Sequence, residues 1–261
     1  MSAPRPYALT IAGFDPSGGA GILADAKTFE ANGVHGLGAC TAITYQNDRE
    51  FDRVDWISLE NIISQIEILN KRFPVEFVKI GLIENLECLE TLINYLKSIP
   101  GTRNEKIKII WDPVLKASAG FEFHPEVNRE LLKKIGSQVD VITPNWIEAK
   151  RLIRSNDAVK SAEELSNYCA VYLKGGHSDD ETARDVLFFN NTMHFFDNNR
   201  IENGEKHGSG CVLSSAITAH LAKGKSLPDA CAEAKNYVSG FLSSTSTLLG
   251  VHYKITKILT D

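Results

Sequence analysis

Short apolar segments and amphipathic helical segments alternate along this chain, and that alternation constrains its fold more than any other feature. Residues 7–13 read YALTIAG, an apolar run that ends in glycine, and residues 21–31 then place Leu23, Ala26 and Phe29 at helical spacing. Alternating strands and helices are typical of βαβ units, in which helices cover both faces of a parallel sheet. The pattern therefore predicts an α/β fold, a three-layer α/β/α sandwich around a mostly parallel central sheet.

The same alternation continues through the rest of the sequence. Further strands are predicted at residues 37–45, 75–80, 107–111, 139–142 and 170–174, and further helices at 59–73, 86–96, 211–221 and 228–249. The Asn190–Thr192 stretch between two apolar runs indicates a hairpin, and residues 161–164 resemble a capping box that opens a helix. Because no repeat or low-complexity linker interrupts the pattern, we expect one domain over residues 1–261, with a small flap or extra strands near residues 47–55.

Charge and cysteine content exclude several classes of protein. The chain has 28 Lys+Arg and 33 Asp+Glu, a net charge of −5, so it lacks the basic character of a nucleic-acid binder. No apolar run approaches the roughly 18 residues of a membrane span, and the N-terminal residues lack the apolar core of a signal peptide. The cysteines number 5, an odd count without a C-x-x-C pair, which favours a reducing compartment. We therefore expect a cytoplasmic protein with neither nucleic-acid nor membrane partners.

A glycine-rich segment, residues 13–21, follows the first predicted strand. Gly19, Gly21 and Ala24 match the G-x-G-x-x-A pattern of dinucleotide-binding turns. In those turns the glycines directly follow the strand, whereas here five residues separate Gly13 from Gly19, and residues 31–47 contain no acidic residue for the ribose. A dinucleotide-dependent oxidoreductase and a plain βα turn remain alternatives, but a loop that brings backbone N–H groups close to a small polar ligand is favoured.

A second glycine-rich turn, Gly208-Ser209-Gly210, precedes an apolar helical pattern. The start of a helix carries unpaired N–H groups and the positive end of the helix dipole, which together bind phosphate or a developing negative charge. Cys211 would lie in the first turn, where a thiolate is stabilised, so this position predicts a thiol more acidic than an ordinary one. The alternative is a small buried residue in a glycine-rich cap.

Polar residues follow three successive predicted strands. Asp112 follows residues 107–111, Asn145 and Glu148 follow residues 139–142 at the start of a helix, and Lys174 ends the strand at 170–174. The carboxyl ends of parallel strands face one crevice, where ligands bind. Carboxylates there are suited to a hard cation and the lysine to phosphate oxygens, so the set predicts a phosphate–Mg²⁺ site.

The ordered set of motifs resembles a known family. ALTIAGFDPSGGAGILADAKTF, TAITYQN, VKIGLI, DPV, ITPNWIEA, YLKGGH and HGSGCVLSSAITAHLAKG follow one another over nearly the whole chain. Together they resemble the hydroxymethylpyrimidine/phosphomethylpyrimidine kinases of thiamin biosynthesis, which have the ribokinase-like fold. The resemblance implies ATP- and Mg²⁺-dependent phosphorylation of the 5-hydroxymethyl group of 4-amino-5-hydroxymethyl-2-methylpyrimidine. It also implies a second phosphorylation to the diphosphate and a homodimer.

The resemblance also implies roles for individual residues. For the pyrimidine, Gln46 is the glutamine that hydrogen-bonds the ring, Asp25 lies near the substrate, and Gly13, Ala20, Leu82 and Val114 line the pocket. For catalysis, Gly208, Ser209 and Gly210 form the anion hole, and Cys211 replaces the catalytic aspartate of most ribokinase-like enzymes. For ATP and the metal, Asn145 and Glu148 organise Mg²⁺ and phosphate, and Asp112 and Lys174 are the neighbouring polar groups.

Three features depart from the family pattern. The family usually reads DPVMVAKSG, but this chain reads DPVLKASAG, and its anion hole has Ser209 where threonine is usual. Residues 249–253 read LGVHY in place of Gly-His-Gly-Pro, so no contact is predicted for the adenine. Pyridoxine or pyridoxal kinase is the nearest alternative function, and a non-catalytic ligand-binding relative is an alternative from a different class.

Overall fold

Strands and helices alternate through most of the structure, as the sequence pattern predicts. The computed structural model describes residues 5–99, 106–116, 123, 127–175, 184–202 and 204–253. The strands are β1 (Tyr7–Phe14), β2 (His35–Gln46), β3 (Phe51–Trp56), β4 (Phe77–Ile80), β5 (Lys108–Trp111), β6 (Val141–Ile142), β7 (Ala170–Leu173), β8 (Asp185–Phe189) and β9 (Thr192–Phe196). The helices are α1 (Gly21–Ala31), α2 (Leu59–Asn70), α3 (Leu86–Ser98), α4 (Arg129–Gly136), α5 (Trp146–Ile153), α6 (Ala158–Leu165), α7 (Ser209–Ala222) and α8 (Leu227–Leu242).

The described strands form one sheet with the order β3-β2-β1-β4-β5-β6-β7-β8-β9. From β2 to β7 every neighbouring pair is parallel, and the antiparallel strands β3, β8 and β9 lie at the two edges. The mostly parallel central sheet is therefore confirmed. Asn190 and Asn191 have positive φ angles of 50° and 56°, which a tight hairpin turn between β8 and β9 requires.

Two apolar layers cover the faces of the sheet. One joins the inward side chains of β1, β4 and β5 to helices α2 to α6, and the other joins β5, β7 and β8 to α7 and α8. Helix α1 packs on the same side as α7. This arrangement confirms the three-layer sandwich. In the part of the chain that the structure describes, no helix is both long and apolar enough to cross a membrane.

Two predicted helix boundaries are wrong. Ser161 lies inside α6, because Asp157 caps this helix by accepting the N–H groups of Val159 and Lys160 at 3.0 and 3.1 Å. Helix α8 ends at Leu242 and does not continue to residue 249. The residues that follow are mostly serine and threonine, whose hydroxyls compete for backbone groups and weaken a helix.

A β-bulge shapes the end of β2 beside the crevice. The register with β1 shifts between Ala12 and Gly13, and the extra residue on β2 is Thr41. The side chain of Gln65 in α2 fixes the backbone of Cys40, since Oε1 accepts its N–H at 2.8 Å and Nε2 donates to its carbonyl at 3.1 Å. The bulge thus lies beside the carboxyl end of β1, and β2 continues past it paired with both β1 and β3.

Candidate active site

Most of the residues assigned from the sequence lie at one edge of the sheet. They end or follow the parallel strands: Gly13 in β1, Gln46 in β2, Leu82 after β4, Asp112 and Val114 after β5, Asn145 after β6 and Lys174 after β7. Asn145 and Lys174 also pair as a parallel bridge. Because carboxyl ends of parallel strands meet at the same edge, these positions share one crevice.

Lys174 lies between two carboxylates in this crevice. Its Nζ is 2.8 Å from Oδ1 of Asp112 and 3.5 Å from Oε2 of Glu148, and its side chain is 13% exposed. Burial alone would lower the pKa of Lys174, but the charges of Asp112 and Glu148 raise it above its ordinary value. Asp112 also accepts hydrogen bonds from Thr143 and Ser214, each at 3.2 Å. The crevice therefore holds a fixed cation oriented by buried acceptors.

Asn145 and Glu148 form a capping box at the start of α5. The N–H of Glu148 donates to Oδ1 of Asn145 at 2.8 Å, and the N–H of Asn145 donates to Oε2 of Glu148 at 2.7 Å. Burial raises the pKa of Glu148 to about 7; Lys174 lowers it and Asp112 raises it further. The helix start thus holds a carboxyl group that gains or loses its proton near neutral pH.

Asp112 and Glu148 are also the carboxylates that suit a cation. Burial alone would raise the pKa of Asp112, but Lys174 and Lys79 lower it below its ordinary value, so this carboxylate is ionised. The described residues contain no group of three or more His, Cys, Asp or Glu side chains able to hold a metal. Two carboxylates fit Mg²⁺, which usually binds one or two of them and completes its shell with water and phosphate oxygens.

The second glycine turn opens α7 beside this charged group. Gly208 has a φ of +74°, and a Cβ there would lie 2.1 Å from the carbonyl oxygen of Gly19. A Cβ on Gly210 would lie 3.3 Å from Nζ of Lys174. The glycines therefore allow the helix start to approach both the first glycine loop and the lysine. The N–H groups in the first turn of a helix lack intrahelical partners and favour an anion, although that of Ser209 in α7 also donates to the carbonyl of Lys206 at 3.4 Å.

The predicted acidity of Cys211 is wrong. Burial raises the pKa of this thiol to about 11; Lys79 lowers it, whereas Asp25 and Asp112 raise it further. The helix start was expected to favour the thiolate, but it does not outweigh desolvation next to two carboxylates. Cys211 therefore carries a protonated thiol at neutral pH.

Asp25 lies beneath the site rather than in it. Its carboxylate is fully buried and accepts Thr10 Oγ1 at 2.5 Å, Lys79 Nζ at 2.9 Å and Ser215 Oγ at 2.7 Å. These contacts join α1 to β1, β4 and α7. The expected contact with substrate therefore requires correction, because the carboxylate is already enclosed by protein donors.

Gln46 and Gly13 form one wall of the crevice with Leu82. Gln46 Nε2 donates to Thr44 Oγ1 at 2.7 Å, and that hydroxyl donates to the carbonyl of Phe14 at 2.8 Å. A Cβ on Gly13 would lie 3.0 Å from Cδ2 of Leu82, so a larger residue there would require the Leu82 side chain to shift. The wall joins an apolar surface to an anchored amide, a combination suited to a flat polar ring.

Sequence reasoning missed a link between the two glycine loops. Asp15 accepts hydrogen bonds from Ser17 and from the N–H of Ala20 within the first loop, and from Nε2 of His207 just before the second. An Asp two residues before a Ser is a common signal for a side-chain-supported turn. No local pattern, however, indicates a bond between residues 192 positions apart.

Comparisons with known proteins agree with this fold. The phosphomethylpyrimidine kinase family model matches residues 15–256. A hydroxymethylpyrimidine/phosphomethylpyrimidine kinase of Staphylococcus aureus (strain MSSA476) is 35% identical, over 92% of this chain and 88% of that protein. The structure of phosphomethylpyrimidine kinase from Clostridium difficile 630 superimposes with a TM-score of 0.74 and 33% identity, over 90% of this chain and 98% of that one.

A pyridoxal kinase has the same fold. The ADP complex of Bacillus subtilis pyridoxal kinase superimposes with a TM-score of 0.77 and 28% identity, over 91% of this chain and 92% of that one. The shared fold first defines the class, an α/β kinase with the ribokinase-like architecture. Within that class the chain belongs to the phosphomethylpyrimidine kinase family.

Proposed function

We propose that this chain uses ATP to phosphorylate the 5-hydroxymethyl group of 4-amino-5-hydroxymethyl-2-methylpyrimidine, and then phosphorylates the monophosphate to the diphosphate, in thiamin biosynthesis. One observation carries the proposal: Lys174, whose side chain is only 13% exposed, meets the glycine-rich start of a helix, since a Cβ on Gly210 would lie 3.3 Å from its Nζ. A fixed cation and a set of backbone N–H groups at one point are suited to a transferring phosphoryl group.

Each part of the crevice has a proposed task in the reaction. Lys174 binds ATP phosphate oxygens, and the N–H groups at the start of α7 donate hydrogen bonds to the oxygens on which negative charge develops during transfer. The wall with Gln46 holds the aminopyrimidine and orients its hydroxymethyl group. Phosphoryl transfer depends mainly on positioning and charge neutralisation, which are the two things this crevice supplies.

We include Mg²⁺ in the proposed reaction, held by Asp112 and Glu148 together with nucleotide oxygens. When bound, the ion would neutralise charge on the phosphate oxygens. Asn145 supports this arrangement by fixing the backbone from which Glu148 extends, through the 2.8 Å and 2.7 Å bonds of the capping box. Lys174 and the bound Mg²⁺ would then both offset the negative charge of Asp112 and Glu148 next to the ATP phosphates.

Cys211 is proposed to orient the substrate alcohol. A thiol with a pKa of about 11 is protonated at neutral pH, which disfavours a thiolate base. In a loose transition state the alcohol keeps its proton until bond formation to phosphorus is well advanced, so a strong base is not needed. The thiol then serves as a polar contact in the first turn of α7.

The proposed role of Cys211 predicts different results for alanine and serine. We expect Cys211→Ala to lower kcat by about 100-fold and Cys211→Ser to stay within about tenfold of the wild type, since a hydroxyl also contacts the alcohol. Steady-state kinetics between pH 7 and 9 measure both variants and the wild type. A wild-type kcat that rises about tenfold per pH unit and loses this dependence in Cys211→Ala would instead identify the thiolate as the base.

Product analysis tests the function directly. The protein is incubated with ATP, Mg²⁺ and the pyrimidine, and mass spectrometry follows the monophosphate and the diphosphate. Pyridoxal at the same concentration tests the second candidate, which the similarity to B. subtilis pyridoxal kinase favours. Faster phosphorylation of pyridoxal would replace the proposal. No ATP consumption with either substrate would indicate a non-catalytic relative or an oxidoreductase.

The cellular setting and assembly are also proposals. We propose a cytoplasmic homodimer whose protomer, residues 1–261, acts as one kinase domain with residues 47–55 as a flap beside the pyrimidine. The five cysteines are free thiols, which supports a reducing compartment. Ile43 and Tyr45 on β2 are 44% and 37% exposed, which supports a partner surface near the flap. Sedimentation at micromolar concentration tests the dimer, and a monomer there would contradict it.

A further inference from the structure

The carboxylate of Asp15 holds the first glycine loop in shape. Its Oδ1 accepts the N–H of Ser17 at 2.9 Å, and its Oδ2 accepts Ser17 Oγ at 2.9 Å and the N–H of Ala20 at 2.8 Å. Asp15 is 1% exposed, so these bonds are shielded from water. Burial alone would raise the pKa of Asp15, but hydrogen bonds, first from His207 and then from the loop, lower it below its ordinary value. Asp15 is therefore an ionised acceptor enclosed by donors.

His207, 192 residues later in the chain, supplies a further donor to Asp15. Its Nε2 lies 2.9 Å from Oδ2 of Asp15, and its side chain is 5% exposed. An ionised carboxylate only accepts hydrogen bonds, so we assign the ring proton to Nε2. Nδ1 has no hydrogen-bond partner among the described residues. The bond to Asp15 therefore fixes the orientation of the ring.

The same ring rests directly on the first glycine loop. A Cβ on Gly19 would lie 2.5 Å from Cδ2 of His207, and a Cβ on Gly208 would lie 2.1 Å from the carbonyl oxygen of Gly19. The backbone N–H of His207 donates to the carbonyl of Leu248 at 2.9 Å. His207, which immediately precedes the glycine turn at the start of α7, is thus held on both sides, by the loop after β1 and by the segment after α8.

We propose that His207 is a positioning residue for phosphoryl transfer. Through its bond to Asp15 it fixes the two glycine turns relative to each other, so that the first-turn N–H groups of α7 face the transferring phosphoryl group. This inference rests on the proposed function. Both side chains are buried, 5% and 1% exposed, and in the described part of the chain neither has a hydrogen bond to Gln46, so we expect the link to act on kcat and to leave the pyrimidine wall in place. A misplacement of about 1 Å at such a site costs about 100-fold in rate.

Two substitutions at one position separate positioning from bulk packing. His207→Leu fills the space without a donor, whereas His207→Gln retains an N–H group at similar reach. We expect His207→Leu to lower kcat about 100-fold while KM for the pyrimidine stays within about threefold, and His207→Gln to recover at least about tenfold of the loss. His194→Leu, on β9 at the far edge of the sheet, is the matched histidine control and should keep wild-type kcat.

A double-mutant cycle tests whether the bond to Asp15 carries the effect. We expect Asp15→Asn combined with His207→Leu to be no slower than the slower single variant, because each substitution alone already disrupts the contact between Asp15 and His207. A kcat of His207→Leu within about threefold of the wild type overturns the inference. So does an equal loss in His207→Leu and His207→Gln that follows their thermal unfolding midpoints, since that indicates packing alone.

The wild-type protein separates failure of this inference from failure of the proposed function. Absence of pyrimidine-dependent ATP consumption by the wild type rejects the function, whereas an active wild type with an unaffected His207→Leu rejects only the positioning role. If the wild type is inactive, ATP affinity is measured by calorimetry for the same variants. Weaker binding in His207→Leu that His207→Gln restores supports the link between the loops, and unchanged binding overturns it.

Discussion

Replacing Lys174 with methionine is expected to lower kcat by about 1,000-fold, the largest catalytic effect we expect for a single site residue. Methionine keeps the length and volume of the side chain but removes the ammonium group that lies 2.8 Å from Asp112 and 3.5 Å from Glu148. The two carboxylates then face each other and the incoming ATP phosphates without the lysine charge. We expect the loss in single-turnover rates at saturating ATP, which report the transfer step itself.

A pH profile of the same variant gives a second expected result. Lys174 lowers the pKa of Glu148 from the value that burial would impose, and the pKa is about 7 with the lysine present. Without the lysine, Glu148 should therefore keep its proton to higher pH, and the residual rate should rise over a more alkaline range than in the wild type. A profile that does not move would contradict the contact between the two side chains.

Lys108→Met is the matched control for the loss of a lysine. Lys108 also pairs with a carboxylate, Asp140, at 3.0 Å, but its side chain is 55% exposed and lies at the opposite end of β5. Because Lys108 lies away from the crevice and an exposed ion pair contributes little to stability, kcat should stay within about twofold of the wild type. If Lys174→Met retained more than about one tenth of the wild-type kcat, the proposed role of Lys174 in phosphate binding would be wrong.

Replacing Lys79 with methionine is expected to reduce the free energy of unfolding by about 3–5 kcal/mol. Lys79 and Asp25 are each completely buried and form an ion pair at 2.9 Å. Removal of the ammonium leaves a buried carboxylate without its counter-charge, and that desolvation cost is not recovered elsewhere. Urea denaturation followed by circular dichroism measures the change.

The double variant Asp25→Asn/Lys79→Met tests the cause of that loss. Asparagine removes the uncompensated charge and keeps a polar group beside Thr10 and Ser215, so we expect the double variant to be more stable than Lys79→Met alone. A double variant that is less stable than Lys79→Met would show that the charge is not the main cost. A loss below about 1 kcal/mol for Lys79→Met would contradict the buried pair itself.

The positions of the charged site groups follow from the sequence because the parallel-sheet rule needs only strand ends. Asp112 and Lys174 are 62 residues apart, yet each follows an apolar run, and the ends of such runs meet at one edge of a parallel sheet. The glycine turn before Cys211 is equally local, since a helix start after Gly-Ser-Gly is visible in the sequence. Local patterns and one topological rule therefore place most of the crevice.

The electrostatic details could not be predicted in the same way. Lys79 lies in the short buried strand FVKI, although lysine is almost never fully buried unless it is paired, and its partner Asp25 is on a helix 54 residues earlier. The pKa of Cys211 depends on burial and on Asp25 and Asp112, which the helix-start argument does not include. These properties arise from packing between distant elements, which a local pattern does not contain.

The late position of α7 in the chain has a consequence for biosynthesis. This helix contributes Ser214 and Ser215, which bond to Asp112 and Asp25 across 102 and 190 residues, and His207 bonds to Asp15 across 192 residues. Chains are synthesised from the N-terminus, and contacts across such separations form slowly. The strands of the sheet, with Asp25 and Asp112, therefore leave the ribosome well before α7, the helix that covers these carboxylates in the folded protein. We expect a nascent chain to need chaperone protection in that interval and to gain activity in its last folding step.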